Sequence, residues 1–518
     1  MSRKSGGGPK GAQEVAGFPK HLSKKSLSVC NELMNACLKS KVSISNASEV
    51  FSNLHSLTQL LIDLQRNFCY LRQLESRSSE REASIKNYLT AHSSYLHKEV
   101  SVRDFSTCGF GLSALVPLTE GECVLRVPKS AMLTSEAPEK LQLMMKDDPI
   151  FASMDNVALS LRLLYELSNF HTSSWREYLS ILPVTYSTFM YMSVDDFKHL
   201  KGSKTAETLA SNYQFICRQY AYFFNRFRSF SPSKEIPLSA RFCFEDYRWA
   251  VSTVMSRNNI IPVKESLSKQ ICLVPIWDMI NHKPGAVTTD YDINNQELVF
   301  YAMEDVASGN QVLMDYGKRT SGEFLIFSGF VPDPNPHNLV DVTLSISKAD
   351  RLGAKRQTLL GHIGLENPTT SQISADLSTM RDLVAFARVF VMVEDQLDEY
   401  LTLDEKKPGT ASETLFSSIC PLRAIDRSAI SFLTKRFELL ILCYGTVPAR
   451  DSPDFAKMSF LQQQCTLLRL QDLEMLRECI ASLKTTLSVP GVTEDELMTA
   501  DALNVSEELK DYRPSTDS

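Results

Sequence analysis

Between Val50 and Leu71 the apolar residues Val50, Leu54, Leu57, Leu61, Leu64, Phe68 and Leu71 are spaced 4, 3, 4, 3, 4, 3. That spacing predicts a helix with one apolar stripe. It also suits a short coiled coil, but three heptads are few, so a helix packed on its own domain is the favoured expectation. From about Tyr95 to Pro128 the pattern changes. Val100, Val102, Leu112, Ala114, Val124, Leu125 and Val127 fall in short runs separated by Gly109, Gly111, Pro117 and Gly121, which predicts strands joined by tight turns. Helical periodicity follows over Asn156–Leu167 and continues through the aromatic-rich stretch Tyr213–Phe230 to Tyr247–Ser256. Strand-like runs return at Ile271–Ile276, Leu298–Met303 and Gln311–Asp315. Two strand blocks held apart by a long helical stretch predict a small β domain with a helical insertion. Beyond Pro336, spacings of 3 and 4 among Leu377, Met380, Leu383 and among Leu473, Leu476, Ile480, Leu483 predict a second, all-α domain.

The length of 518 residues predicts about three structural units at roughly 150 residues each, or two with a large insertion. Lys and Arg number 55 against 61 Asp and Glu, a sum of −6, so the electrostatic case for a nucleic-acid binder is missing. The strongest apolar run, Leu439–Tyr444, is far shorter than the ~20 residues that cross a bilayer, so no membrane span is expected. The start has no apolar core, so no secretory signal is expected there, and the cysteines are expected in a reducing compartment. The ends are polarised: residues 1–25 carry six Lys or Arg against one Glu, and the last 25 carry eight acids. Both read as solvated tails.

Several familiar chemistries fail on spacing. Gly109-Phe110-Gly111-Leu112-Ser113-Ala114 matches G-x-G-x-x-A, but Pro117 and Gly121 deny it the helix that would hold a pyrophosphate. Glycines at a hairpin, permitting close backbone approach to a ligand, explain it better. No H-E-x-x-H or C-x-x-C spacing suggests a metal site, and neither a G-x-S-x-G elbow nor a Walker-type loop occurs. A third cluster stands out. Trp277-Asp278-Met279-Ile280-Asn281-His282 ends one apolar strand, Gln311 to Tyr316-Gly317 ends another, and Arg257-Asn258-Asn259 closes a helix just upstream. Asn281 and His282 by themselves could simply satisfy turn backbone, but three polar element ends in about sixty residues look like the rim of a site.

The glycine hairpin, the D-M-I-N-H run and the strand into Tyr316-Gly317 resemble the SET-domain methyltransferases in order. The insertion and the α-helical C-terminal region resemble the branch typified by the Rubisco large-subunit lysine methyltransferase. Arg218–Phe223, Tyr247–Met255, Arg257–Asn259, Pro275–His282 and Glu323–Phe330 are similar to the actin-histidine N-methyltransferases of that branch, over roughly residues 75 to 350. The resemblance implies an α+β fold: a SET β-fold over 93–335 with a helical insertion at about 132–255, preceded by a helical extension over 26–92. An all-α substrate-binding domain over 345–490 and an acidic tail over 491–518 would follow.

It implies S-adenosylmethionine as methyl donor and actin as protein substrate, in a monomer of the cytoplasm with the nucleus left open. Lysine methylation of another protein and a non-catalytic binding module are the alternatives. By position, the cofactor would be bound by Arg81, Cys108, Gly109, Phe110, Asn156, Arg257, Asp278, Met279, Ile280, Asn281, His282, Ser328, Gly329 and Phe330. Substrate would meet Trp277, Asn259, Asn258 and Arg257, with Tyr316 and Asn259 as catalytic residues and no metal. A histidine is mostly neutral at pH 7, so a fixed tautomer matters more than a strong base, and an amide at Asn259 can bond a ring nitrogen. Three positions depart from the family pattern: Cys108 stands where Glu is frequent, Asn258 replaces a longer amide, and Asp315 replaces an apolar or aromatic residue.

Overall fold

The computed structural model describes residues 17–75, 81–91, 94–96, 99–105, 109–229, 236–263 and 268–487, so the acidic tail and most of the basic one lie outside the described residues. The chain forms two compact units. The first takes in Met1–Asp195, Thr208–Arg319 and Glu323–Pro334, and the second Asp196–Glu207, Thr320–Gly322 and Asn335–Ser518.

A helix already begins at Lys20, inside the stretch expected to be tail, and runs to Lys39. The heptad-like stripe forms the helix Ala47–Gln65, which buries Val50, Leu54 and Leu61. It stops before Phe68, because Arg66–Phe68 tighten into a 3-10 turn. This helix packs on Lys20–Lys39. It is also pinned to the insertion: Thr58 Oγ1 lies 2.7 Å from the Tyr213 hydroxyl, and Gln65 Nε2 donates to the Tyr220 hydroxyl at 2.9 Å. The stripe thus serves its own unit.

Three small sheets follow. One runs Tyr95–Leu96, Cys123–Pro128, Glu297–Tyr301, Thr289–Asp292 in that order. A second runs Val100–Asp104, Phe110–Ala114, Gln311–Met314, Asn281–His282, and a third Leu133–Thr134, Lys269–Leu273, Asn258–Pro262. The strand expected to reach Ile276 ends at Leu273, ahead of Pro275, which has no N–H for a ladder. Between Leu133–Thr134 and Asn258–Pro262 lie the helices Asp155–Ser168, Thr205–Ser229 and Phe244–Arg257, and the first and third pack together. Buried Leu159, Leu163, Trp249 and Val254 on those two helices each gain about 1.5–3 kcal/mol on leaving water, which fixes the end of Phe244–Arg257 firmly.

The second unit is mainly helical, with Arg381–Val391, Ala424–Tyr444 and Phe460–Thr486 around a core that includes Leu383, Phe386, Leu433, Phe437 and Leu476. It also contains an antiparallel pair, Val340–Leu344 with Thr369–Ile373, which the all-α expectation omitted. Arg388 is buried with Asp426 at 2.6 Å and also donates to the carbonyls of Leu415 and Ser417, so the charge is fully engaged.

Candidate active site

The helix Phe244–Arg257 passes directly into the strand Asn258–Pro262. Its last turn leaves carbonyls without intrahelical partners, and Asn258 Nδ2 donates to Val254 O at 2.6 Å, closing that end. Arg257 then reaches across to the next segment. Its Nη1 donates to the Asp278 carbonyl at 2.5 Å and lies 3.6 Å from Asp278 Oδ1. Asp278 is buried and accepts from the Tyr178 hydroxyl at 2.6 Å. Burial pushes its carboxyl up to about 6, against the pull of Arg257 and Tyr178. Just before it, Ile276 sits at φ 70°, ψ −47°, a strained conformation for a β-branched residue. That sharp turn delivers Trp277, whose Nε1 donates to Thr289 Oγ1 at 3.0 Å.

Asn281 and His282 pair in parallel with Leu313 and Met314, so the two chain segments singled out in the sequence lie side by side. Tyr316 is held there twice. Its backbone N–H donates to His282 Nδ1 at 3.2 Å, and its hydroxyl donates to the Ile280 carbonyl at 2.7 Å. An accepting Nδ1 requires the proton on Nε2. Burial lowers the His282 pKa, while Asp315 opposes the shift, consistent with a neutral ring. Asn281 Nδ2 donates to Gln311 Oε1 at 2.7 Å, and a Cβ on Gly111 would come within 2.8 Å of that nitrogen and 2.9 Å of that oxygen. The hairpin glycine therefore makes room for Asn281 itself. Asp104 pairs with Phe110 and Arg103 with Gly111 in an antiparallel pair, which agrees with glycines placed at a hairpin.

Phe324–Ser328 form a π-helical turn that ends at Gly329, φ +80°, where a Cβ would strike the Ser187 backbone at 2.5 Å. This turn brings aromatic rings together: His282 lies 5.0 Å from Tyr316, 4.8 Å from Phe324 and 6.1 Å from Phe330. Ser328 Oγ is buried with no hydrogen-bond partner among the described residues. Beside Tyr316 opens a cavity of about 270 Å³ whose lining includes Asn259, Trp277, Thr289, Tyr291 and Tyr316. Asn259 Oδ1 accepts from Ile260 N at 2.8 Å.

Residues 109–317 match the SET domain model, and residues 347–476 match the Rubisco LSMT substrate-binding model. The actin-histidine N-methyltransferase of Dasypus novemcinctus is 31% identical over 477 residues, 89% of this chain and 78% of that protein. This chain belongs to the actin-histidine N-methyltransferase family. The Homo sapiens member is 30% identical over 476 residues, 89% of this chain and 77% of its own. Among solved structures, the SET domain of LSMT bound to lysine and AdoHcy shares the fold, with a TM-score of 0.66 at 17% identity, covering 85% of this chain and 97% of that one.

Within this family member the expected site residues separate into groups. Asn259, Trp277 and Tyr316 meet at one cavity. Gly109, Phe110, Asn281, His282, Ser328, Gly329 and Phe330 lie on the elements that flank Tyr316. Asn156 is exposed and lines another cavity, of about 400 Å³, with Asn258, Arg319 and Glu323. Asp278 and Arg257 turn their side chains on each other, while Met279 and Ile280 are buried. Arg81 opens the helix Arg81–Ala91, but its side chain, like all of Cys108, lies outside the described residues. Tyr178, Gln311, Thr289 and Phe324 were missed. Tyr178 and Gln311 carry no local motif, whereas Phe324 sits inside the Glu323–Phe330 stretch already noted. Cys69, Cys243 and Asp246 offer ligand atoms within 4.8 Å of one another. Both Asp246 oxygens accept backbone N–H groups, from Tyr70 at 2.9 Å and Leu71 at 3.0 Å, so this carboxyl anchors the chain after Cys69.

Proposed function

We propose that this protein transfers a methyl group from S-adenosylmethionine to a ring nitrogen of a histidine in actin. The observation that carries the reading is the cavity shared by Asn259, Trp277 and Tyr316: a flat indole wall, an amide and a phenol, in a space of about 270 Å³. The indole cannot rotate freely, because Thr289 holds its Nε1 at 3.0 Å. A planar ring is favoured against such a wall.

The residues beyond Tyr316 fit the donor. The partly exposed rings of His282 and Phe330, backed by the buried Phe324, offer stacking faces, and Ser328 Oγ, without a partner among the described residues, offers a buried polar contact of the kind a nucleoside would satisfy. Gly109, Phe110, Asn281, His282, Ser328 and Phe330 would hold it, with Arg81 on its carboxylate. When bound, the sulfonium supplies an electrophilic methyl group.

Everything else falls to the chain. Methyl transfer is an in-line displacement, so the protein must hold the nitrogen lone pair on axis and keep water out. Asn259 supplies the first requirement. Since its Oδ1 already takes Ile260 N–H, the oxygen end of the amide is fixed, and the second lone pair can accept a ring N–H. That leaves the other ring nitrogen bare. Tyr316, fixed by Ile280 O and His282 Nδ1, aligns the reacting groups. Asp278 and Arg257 act at one remove by bracing the backbone from Trp277 to Ile280. A lysine substrate would instead have to shed a proton on entry, and an amide at position 259 does nothing to promote that.

The test is incubation of the full chain with purified actin and isotope-labelled S-adenosylmethionine, followed by peptide mapping. Label on one histidine is expected. Label on lysine, or no label, overturns the proposal.

A further inference from the structure

We propose that Asp315 is a positioning residue of this site: its carboxylate ties the loop carrying one wall of the target cavity to the turn that presents Tyr316. The role rests on the function proposed above. Oδ1 accepts the Gly317 N–H at 2.7 Å, and Oδ2 accepts the Gly285 N–H at 2.9 Å. The first bond closes a local turn of the kind aspartate favours, directly around Tyr316. The second is long-range. Gly285 lies in the loop between the strands Asn281–His282 and Thr289–Asp292, and beyond it Val287, Thr289 and Tyr291 line the cavity.

The loop's other hydrogen bonds lie to either side. Lys283 N donates to Met314 O at 3.0 Å and its Nζ to Glu304 Oε2 at 2.6 Å, while Thr288 Oγ1 donates to Tyr301 O at 2.7 Å and Thr288 O accepts the Tyr301 N–H at 3.1 Å. Between them the bond from Gly285 N–H to Asp315 is the polar tie of the bend, with Met303 packed against Gly285. Thr289, immediately after this loop, is the residue that holds the Trp277 indole. One carboxylate therefore bears on both sides of the reacting centre, through Gly317 on Tyr316 and through Gly285 on the tryptophan wall. Only a carboxylate of this length offers two acceptors to two N–H groups, and charge-assisted bonds of this kind are the stronger ones. An apolar or aromatic side chain could make neither contact. Aspartate at this position thus belongs with a wall held by side-chain hydrogen bonds.

The two oxygens predict separable effects. In Asp315→Asn the single amide oxygen stays with Gly317, its near neighbour in the turn, and the amide NH2 faces the Gly285 N–H. The cavity wall is then released while Tyr316 remains in place. For the full-length variant, KM for actin should rise about 3- to 10-fold, as for one lost hydrogen bond, with a much smaller change in kcat. Calorimetry should find affinity for S-adenosylmethionine as in the wild type. Amide hydrogen exchange over residues 283–291 should accelerate. Asp315→Ala loses both contacts and should lower kcat as well.

Asp315→Asn with unaltered KM and unaltered exchange over 283–291 would overturn the inference. So would equal losses in kcat and donor affinity, which would signal general destabilisation. Failure of the wild type to label actin would instead strike at the proposed function, and the exchange experiment would still decide whether Asp315 holds the loop.

Discussion

Asn259 Oδ1 accepts the Ile260 N–H at 2.8 Å, which favours the amide orientation that keeps its oxygen on that side. In the mechanism proposed above, that oxygen also accepts the N–H of a neutral imidazole and leaves the other ring nitrogen bare for the methyl group. Asn259→Phe should therefore lower histidine methylation about tenfold or more, on the scale of one hydrogen bond at ~1.4 kcal/mol per decade, and raise turnover of a lysine-containing peptide. Competing histidine and lysine peptides in a single mass-spectrometric assay would measure both changes. Unchanged histidine turnover would remove the amide from the mechanism. The segments that bring Asn259, Trp277 and Tyr316 to one cavity were legible in the sequence as polar ends of apolar runs, whereas the roles given to these residues come from the family resemblance. Their supports were not legible. Tyr178, which holds Asp278, lies a hundred positions upstream with no local signal, and nothing in Pro275-Ile276-Trp277 announces that an isoleucine would adopt φ 70°.

The strand Phe110–Ala114 carries a constraint that belongs to the element as a whole. It pairs with Gln311–Met314, and that strand pairs in turn with Asn281–His282, so three segments from distant parts of the chain must close with Gly111 at their tightest point. A methyl group there meets the Asn281 and Gln311 amides, which are locked to each other at 2.7 Å. Gly111→Ala should destabilise the protein by about 1–3 kcal/mol, the usual penalty of overpacking, and should weaken donor binding by displacing Asn281. Urea denaturation and calorimetric titration with S-adenosylmethionine would read the two effects, and wild-type values in both would show that the amides can yield. Helices declared themselves through period, and even the stripe from Val50 was sound up to Gln65. The two-residue strand Asn281–His282 is too short to have a period at all. The π-helical turn at Phe324–Ser328 reads locally as ordinary helix, and Thr369–Ile373 is too polar to look like a strand.

The net charge of −6 conceals a separate electrostatic feature, the acids held inside the protein. Burial pushes Asp246 up to about 7, and Asp278 and Asp472 each up to about 6, from a usual value near 3.9. For a carboxyl raised by folding, the native state binds more protons than the unfolded chain between the two values. Stability then falls as pH rises through that window, the reverse of the behaviour of a salt-bridged carboxylate. Asp472 offers the clean test, because its Oδ2 accepts from Ser203 Oγ at 2.7 Å and from the Tyr444 hydroxyl at 2.9 Å, and an amide oxygen can accept both. Asp472→Asn keeps those bonds but removes the titration. Urea midpoints of the two proteins should be closest near pH 4 and should separate in favour of the variant up to about pH 6. Above that the gap should stay constant, since each unit of pKa shift is worth about 1.4 kcal/mol and no further proton is lost. A gap that widened in favour of the wild type would mean that Asp472 is stabilised as the anion by Arg469 and its neighbours, and that burial does not govern its charge.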